Sequence, residues 1–279
     1  MYRVFWPPWR AAEGKMRLLR AAPLTPSHVI ITGGSSGIGL ALARLYLERG
    51  ASVTLIARSA KRLQEAAVLL GNGPKLGHQS ADVADFQALT AAIAAAESQH
   101  GPCDLLITSA GVVRPSPLQA MDVTEARTQI ETNLLGTIHA AKILWSGMAD
   151  RGGRMVFVSS GAAFIGLHGY APYCASKAAL VGLADSLRQE AAGTRLGISI
   201  CFPPDTDTPQ LAAELPLRSP EAEKLMGRVA PWSADDVATE IDRQLARGRS
   251  EIHFGLTLWF LARFGSLARP FIYRFLAAR

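Results

Sequence analysis

A glycine-rich turn near the beginning of the chain constrains its fold more than any other feature. Val29-Ile30-Ile31 is an apolar, β-branched run, and Thr32-Gly33-Gly34-Ser35-Ser36-Gly37-Ile38-Gly39 separates it from a helical pattern that continues to about Arg49. Glycines permit a tight turn and let a phosphate approach the free N–H groups at a helix N-terminus. Strand, glycine-rich turn and helix in this order predict a phosphate-binding unit of a parallel sheet.

Strand and helix patterns alternate along the rest of the chain. Six strands are predicted, the last five at 51–56, up to 83, 104–108, 155–158 and 197–202, with a long helix over 123–148. Residues 205–232 are Pro-rich and are predicted to be an irregular substrate lid. At 279 residues and 49% hydrophobic content, one large core is expected. The prediction is an α/β fold: a single doubly wound Rossmann-type parallel sheet with helices on both faces.

The end of the second strand indicates which dinucleotide is bound. An acid at this point would accept hydrogen bonds from the ribose of NAD, whereas an arginine accommodates the 2′-phosphate of NADP. This chain has Arg58, followed by Lys61 and Arg62, with Ser35 in the glycine-rich turn. NADP(H) is therefore favoured over NAD(H). Asp82, after the third strand, could bind the adenine amino group or cap the helix that follows it, and both alternatives stay open.

A second cluster of motifs indicates proton transfer. Tyr173 and Lys177 are four residues apart in a helical pattern, so the phenol and the ammonium share one face of the helix. A neighbouring cation lowers the pKa of a tyrosine and makes it useful as a general acid or base. Ser160 follows the apolar strand 155–158, and the carboxyl ends of parallel strands are where such sheets carry their chemistry.

These motifs, in this order and together with Asn133, resemble the short-chain dehydrogenase/reductase family over residues 28–250. The resemblance implies that Tyr173 exchanges a proton with the substrate oxygen and that Ser160 holds that oxygen. Lys177 would bind the nicotinamide ribose and lower the pKa of Tyr173, and Asn133 would support Lys177. The cofactor-binding residues predicted from the motifs and the resemblance are Gly33, Ser35, Ser36, Gly37, Ile38, Gly39, Arg58, Arg62, Asp82, Val83, Ala110, Gly111, Tyr173, Lys177, Pro203 and Thr206.

Two segments depart from the family pattern. The family's Asn-Asn-Ala-Gly is Thr108-Ser109-Ala110-Gly111 here, and its Pro-Gly after the sixth strand is Pro203-Pro204. The run Pro203 to Pro209 is instead similar to the 3-ketodihydrosphingosine reductases within the family. That similarity implies NADPH-dependent reduction of 3-ketodihydrosphingosine, a long-chain lipid ketone taken from a membrane surface, to dihydrosphingosine, with Tyr173 as the proton donor. The alternatives are reduction of another lipid ketone, such as a 3-oxoacyl thioester or a steroid, and a non-catalytic NADP-binding module.

The two ends of the chain are basic and apolar. Residues 1–27 form a basic leader, and residues 251–279 form a hydrophobic segment with Arg263, Arg269, Arg274 and Arg279 but no acid after Glu251. The abundance of Trp, Phe and Leu favours a lipid surface over nucleic acid. Residues 252–262 are too few to span a bilayer, and Pro270 is expected to interrupt the helix, so an interfacial or shallow re-entrant hydrophobic hairpin is predicted. The alternative is a C-terminal segment that packs on the core or on a second subunit.

Three cysteines, Cys103, Cys174 and Cys201, lack the spacing of metal ligands, and no metal site is predicted. Their scatter also argues against a disulfide framework and for a reducing compartment. The expected location is the cytoplasmic face of a membrane. The family resemblance further implies a possible homo-oligomer formed through the helices that carry Asn133 and Tyr173.

Overall fold

The computed structural model describes residues 25–226 and 230–277, with side chains up to residue 274. Most of the predicted leader, residues 1–24, lies outside the described residues. One sheet of seven parallel strands has the order β3-β2-β1-β4-β5-β6-β7, which confirms the predicted doubly wound sheet. The strands are β1 His28–Thr32, β2 Ser52–Ala57, β3 Leu76–Ser80, β4 Leu105–Thr108, β5 Gly153–Val158, β6 Leu196–Phe202 and β7 Glu251–His253.

Ten α-helices lie around the sheet among the described residues. Their bounds are α1 Gly37–Glu48, α2 Ala60–Leu69, α3 Phe86–His100, α4 Val123–Ile130, α5 Gly136–Arg151, α6 Ala171–Glu190, α7 Pro209–Glu214, α8 Pro220–Met226, α9 Ala234–Ala246 and α10 Gly255–Ala277. Helices α3, α5 and α6 pack on one face of the sheet, and α1, α2 and α9 pack on the other.

The core follows the two-residue period of the strands. Val29 and Ile31 belong to the apolar cluster on the α1 side, and Ile30 between them belongs to the cluster on the α3 side. All three side chains are fully buried. Because both faces of the sheet are covered, the central strands β1, β2, β4, β5 and β6 are largely apolar, and this is why the sequence pattern located them.

The long helix predicted over 123–148 is interrupted. A π-helical turn, Glu131–Leu135, separates α4 from α5 and holds Asn133. Such turns cannot be recognised in a hydrophobic pattern, and they often occur at functional sites. The predicted irregular lid also contains short helices, α7 and α8, each of which begins at a proline.

The predicted C-terminal segment begins with a strand of the sheet that the sequence did not reveal. Ile252 in β7 is fully buried and pairs with Cys201 of β6. Helix α10 follows and runs through Pro270, so the predicted hairpin and the predicted helix break are wrong. A proline removes one backbone hydrogen bond, and a helix of 23 residues tolerates this loss. Within the described residues, no helix combines the length and the hydrophobicity that a bilayer crossing needs.

Candidate active site

The glycine-rich turn between β1 and α1 is packed too closely for side chains. Gly33 has φ +71, and a Cβ on it would lie 2.6 Å from the backbone nitrogen of Ala110, which follows β4. A Cβ on Gly39 would lie 2.5 Å from the carbonyl oxygen of Gly33. Gly39 thus lets the turn fold back on itself, and Gly33 lets the turn after β1 approach the segment after β4. The N-terminus of α1 stays open to an anion.

A cavity of about 510 Å³ lies at the carboxyl ends of the strands, where the strand order reverses between β1 and β4. This is the place where open α/β sheets bind their ligands. Most of the predicted site residues line it: Gly33, Ser35, Ser36, Gly37, Ile38, Arg58, Arg62, Val83, Ala110, Gly111, Ser160, Tyr173, Lys177, Pro203 and Thr206.

Three predicted site residues do not line the cavity. Gly39 packs against the turn, and Asn133 is buried behind the cavity wall. Asp82 accepts a 2.9 Å hydrogen bond from the Ala84 nitrogen, and its other oxygen lies 3.9 Å from the Arg58 guanidinium. The cap of the next helix, α3, is Asp85, so the capping alternative for Asp82 is wrong.

A cationic region forms the part of the cavity beyond β2. Arg58 and Arg62 line it, together with Ser59, the N-cap of α2. The side chain of Arg58 is 54% exposed. Strand β2 ends at Ala57, and Arg58 and Ser59 follow it, so the position where an acid would bind the ribose of NAD is not acidic. The glycine-rich turn at Gly33 and these two arginines fit a dinucleotide that carries a 2′-phosphate.

Asn133 joins the loop after β4 to helix α6. Its Oδ1 accepts a 2.8 Å hydrogen bond from the Val112 nitrogen, and its Nδ2 donates to the Val112 oxygen at 2.9 Å and to Ser176 Oγ at 3.0 Å. Ser176 Oγ in turn donates to the carbonyl oxygen of Tyr173 at 2.7 Å. Asn133 therefore positions the catalytic helix through Ser176, a residue that the motifs did not identify.

Ser160, Tyr173 and Lys177 converge on the cavity. The side chains of Ser160 and Tyr173 are hydrogen-bonded to each other. Lys177 is one helical turn beyond Tyr173, and its Nζ lies 5.7 Å from the centroid of the tyrosine ring. Lys177 Nζ also donates a 2.9 Å hydrogen bond to the carbonyl oxygen of Val158, the last residue of β5. The three predicted residues thus form one reactive group.

Burial controls the protonation of this group. It raises the pKa of Tyr173 above the ordinary value for tyrosine, and the hydrogen bond with Ser160 offsets only part of that rise. Burial also lowers the pKa of Lys177 to about 8. The sequence predicted that Lys177 lowers the pKa of Tyr173, but burial is the larger effect here. The phenol is therefore neutral at physiological pH and is ready to donate its proton.

A buried ionic network, absent from the sequence prediction, lies beside the tyrosine. Tyr170 OH donates to Glu214 Oε1 at 2.7 Å, and Arg218 donates from Nη2 to the same oxygen at 2.7 Å. Arg218 also donates from Nη1 to Asp205 Oδ2 at 2.8 Å. The spacing of Glu214 and Arg218, four residues apart, was readable as an ion pair, but their burial was not.

The doubly wound sheet carries a glycine-rich turn and a cationic region that fit a dinucleotide. The Ser–Tyr–Lys group lies in the same cavity and can transfer a proton through tyrosine. These features define a dinucleotide-dependent oxidoreductase. The chain belongs to the short-chain dehydrogenase family, since the model of that family matches residues 27–216. The predictions of family, fold and enzyme class are confirmed.

Two proteins that are similar to this chain over most of its length are reductases. The 3-dehydrosphinganine reductase TSC10B of Arabidopsis thaliana is 37% identical over 252 residues, which are 88% of this chain and 74% of the relative. A 3-dehydrosphinganine reductase of Danio rerio is 33% identical over 239 residues, 83% of this chain and 72% of the relative.

Among solved structures, a variant of actinorhodin polyketide ketoreductase with NADPH superimposes with a TM-score of 0.72. It is 25% identical, and the match covers 81% of this chain and 95% of that chain. A membrane surface and a homo-oligomer as partners stay predictions.

Proposed function

We propose that this chain reduces 3-ketodihydrosphingosine to dihydrosphingosine with NADPH, as a step in sphingolipid synthesis. The observation that carries the chemistry is the neutral phenol of Tyr173, hydrogen-bonded to Ser160 at the wall of a cavity that also holds two arginines. The substrate is supported by two relatives that are named 3-dehydrosphinganine reductase and align with 88% and 83% of this chain.

In this mechanism the bound NADPH supplies a hydride for the carbonyl carbon. The Ser160 hydroxyl donates a hydrogen bond to the carbonyl oxygen and holds it near Tyr173. As negative charge develops on that oxygen, Tyr173 gives it the phenolic proton, which completes the alcohol. Lys177 stabilises the phenolate that remains until solvent returns a proton, because its ammonium is one helical turn away.

The choice of NADPH over NADH follows from Arg58 and Arg62. A guanidinium forms strong paired hydrogen bonds with phosphate oxygens, and NADH has no 2′-phosphate to accept them. Arg58 is free to turn towards a ligand because its one described ion-pair partner, Asp82, is 3.9 Å away and the pair is exposed to solvent.

The experiment that tests this function is product analysis. Purified full-length chain in mixed micelles is given 3-ketodihydrosphingosine with NADPH or NADH, and dihydrosphingosine is measured by mass spectrometry. We expect product with NADPH and much less with NADH. Turnover of a 3-oxoacyl thioester or a steroid ketone, with none of the amino ketone, would assign the enzyme to another lipid. NADPH binding without any turnover would support the non-catalytic alternative.

We propose further that α10 holds the enzyme on the cytoplasmic face of a membrane. One face of α10, which includes Leu258, Ala262 and Gly265, is at least half-buried against the domain. The opposite side exposes large apolar side chains: Leu256, Trp259, Phe260, Phe264, Leu267 and Phe271. An apolar face of this size on a helix that carries arginines and no acid fits an anionic lipid surface.

The position of α10 would also help the substrate reach the active site. Tyr273 OH accepts a 2.7 Å hydrogen bond from the Gly166 nitrogen, and Leu258 packs on Gly161. Both glycines lie in the segment between Ser160 and Tyr173. A membrane bound to α10 would therefore lie close to the catalytic residues, where a nearly insoluble lipid ketone could enter directly from the bilayer.

A further inference from the structure

Charged residues of both signs line the cavity. Arg58, Arg62 and Lys177 are cationic, and Asp205 and Glu214 are anionic. The two acids are close enough to the phenol of Tyr173 for each to raise its pKa through its charge. Tyr170, which donates to Glu214, has its ring centroid 6.3 Å from that of Tyr173. The acids therefore belong to the part of the cavity where the substrate ketone reacts.

Within the described part of the chain, the two acids share a single cation. The guanidinium of Arg218 contacts one oxygen of each acid, and neither acid has another ion pair there. Two carboxylates and one guanidinium leave one net negative charge. The side chain of Arg218 is 6% exposed, that of Glu214 10% and that of Asp205 31%, so water screens this charge weakly.

Each acid keeps one oxygen for a ligand. Tyr170 and Arg218 both donate to Glu214 Oε1, and Arg218 donates to Asp205 Oδ2. Across residues 25–226 and 230–277, no side chain or backbone group donates to Glu214 Oε2 or Asp205 Oδ1. A carboxylate can accept several hydrogen bonds, and both acids line the cavity.

We propose that Asp205 and Glu214 bind the ammonium group of an amino ketone substrate. This inference rests on the proposed function, because 3-ketodihydrosphingosine carries its ammonium on the carbon next to the ketone. With the ketone oxygen at Ser160 and Tyr173, the ammonium nitrogen is two bonds from the reacting carbon, so it must lie close to the catalytic residues. An ammonium that loses part of its hydration on binding requires an anion, and the cluster supplies the net negative charge.

The acid pair would thereby determine specificity. A 3-oxoacyl thioester or a steroid ketone has no cation beside its ketone and gains nothing from the acids. The uncompensated charge would make the cavity less favourable for such neutral ligands. The alternative is that the network only anchors the lid helices to α6. An anchor would affect every ketone to the same extent, and this difference makes the two roles separable.

The test compares two ketones of equal chain length at saturating NADPH. One is 3-ketodihydrosphingosine, and the other is its analogue with hydrogen in place of the ammonium group. The variants are Glu214→Gln and Asp205→Asn. The control is Asp242→Asn, which alters a carboxylate about as buried as that of Glu214 and paired with Arg49 outside the cavity. Melting temperature and NADPH affinity show for each variant whether the fold and the nucleotide region are intact.

We expect the wild type to prefer the amino ketone, and each acid variant to lose about tenfold or more in kcat/KM for it, mainly through KM. Their kcat/KM for the analogue should stay within about threefold, and the control should keep the preference of the wild type. Equal losses on both ketones, or a wild type without preference, would overturn the inference while the proposed function stands. A wild type that does not reduce the amino ketone would overturn both.

Discussion

Lys177 Nζ donates a 2.9 Å hydrogen bond to the carbonyl oxygen of Val158, and this contact fixes a buried ammonium beside the Tyr173 ring. Lys177 is 5% exposed, so the ammonium has lost most of its hydration. Burial consequently lowers its pKa to about 8, while burial raises the pKa of Tyr173. The two pKa shifts keep the Tyr173 phenol neutral and allow the Lys177 ammonium to lose its proton just above neutral pH.

A pH dependence follows from these shifts. Below pH 8 Lys177 is charged and stabilises the phenolate, and above it the ammonium loses its proton. Tyr173 stays protonated over the same range. We therefore expect kcat/KM for reduction to fall as pH rises through about 8. The measurement is a pH–rate profile with the ketone that lacks the ammonium group, so that no substrate group titrates.

Lys177→Arg provides the control, because a guanidinium stays charged throughout this range. Its activity should be lower, and the decline near pH 8 should be absent. If the arginine variant kept the same decline, Lys177 would not be the titrating group.

Cofactor preference should depend on Arg58. Removal of its guanidinium in Arg58→Ala deletes charge-assisted hydrogen bonds to the 2′-phosphate, which are worth about 1.5–3 kcal/mol. We expect KM for NADPH to rise about 10- to 100-fold and KM for NADH to stay within about twofold. Steady-state kinetics with both cofactors measure the effect. Arg44→Ala is the matched control, since Arg44 pairs with Asp235 at the surface. Equal increases for both cofactors would exclude the assigned role.

The glycine-rich turn should not accept even one methyl group at Gly33. Gly33→Ala places a Cβ 2.6 Å from the Ala110 nitrogen on a backbone with φ +71, so destabilisation on the order of 3 kcal/mol or more is expected, with loss of NADPH binding. Gly182→Ala in α6 has no atom within 4 Å of the new Cβ and should be neutral or stabilise by up to about 1 kcal/mol. Urea denaturation compares the two, and similar stabilities would refute the argument.

Membrane binding should depend on the exposed face of α10. Serine at Leu256, Phe260 and Phe271, which are 84%, 50% and 76% exposed, should reduce co-sedimentation with anionic vesicles at least about tenfold without lowering the melting temperature. A matched control is serine at Leu118 and Val123, exposed apolar residues elsewhere on the domain. Unchanged binding of the α10 variant, or an equal loss in the control, would contradict a role for this helix.

The sequence predicted the features that depend on neighbouring residues. The central strands, β1, β2, β4, β5 and β6, are buried on both faces, so their apolar runs were visible. The glycine-rich turn and the Tyr173–Lys177 pair are spaced by local geometry. What the sequence did not predict depends on tertiary contacts. Strand β7 has only three residues, and its Ile252 is buried because Cys201 lies beside it.

The same reason explains the omissions at the site. Glu214 and Arg218 belong to a segment with the charge pattern of an exposed helix, yet Tyr170 and Asp205 enclose them. The direction of the Tyr173 pKa shift likewise depends on burial, and burial cannot be predicted from a sequence motif. The neighbouring lysine was visible in the sequence, whereas the lost hydration was not.

In the proposed mechanism, the Tyr173 phenol donates the proton that completes ketone reduction. The most direct measurement is kcat of Tyr173→Phe with 3-ketodihydrosphingosine and NADPH, beside NADPH affinity from fluorescence titration. We predict a loss of kcat between about 10²- and 10⁴-fold, with NADPH affinity within about threefold of the wild type. A variant that keeps more than about a tenth of the wild-type kcat would show that the proton comes from another group.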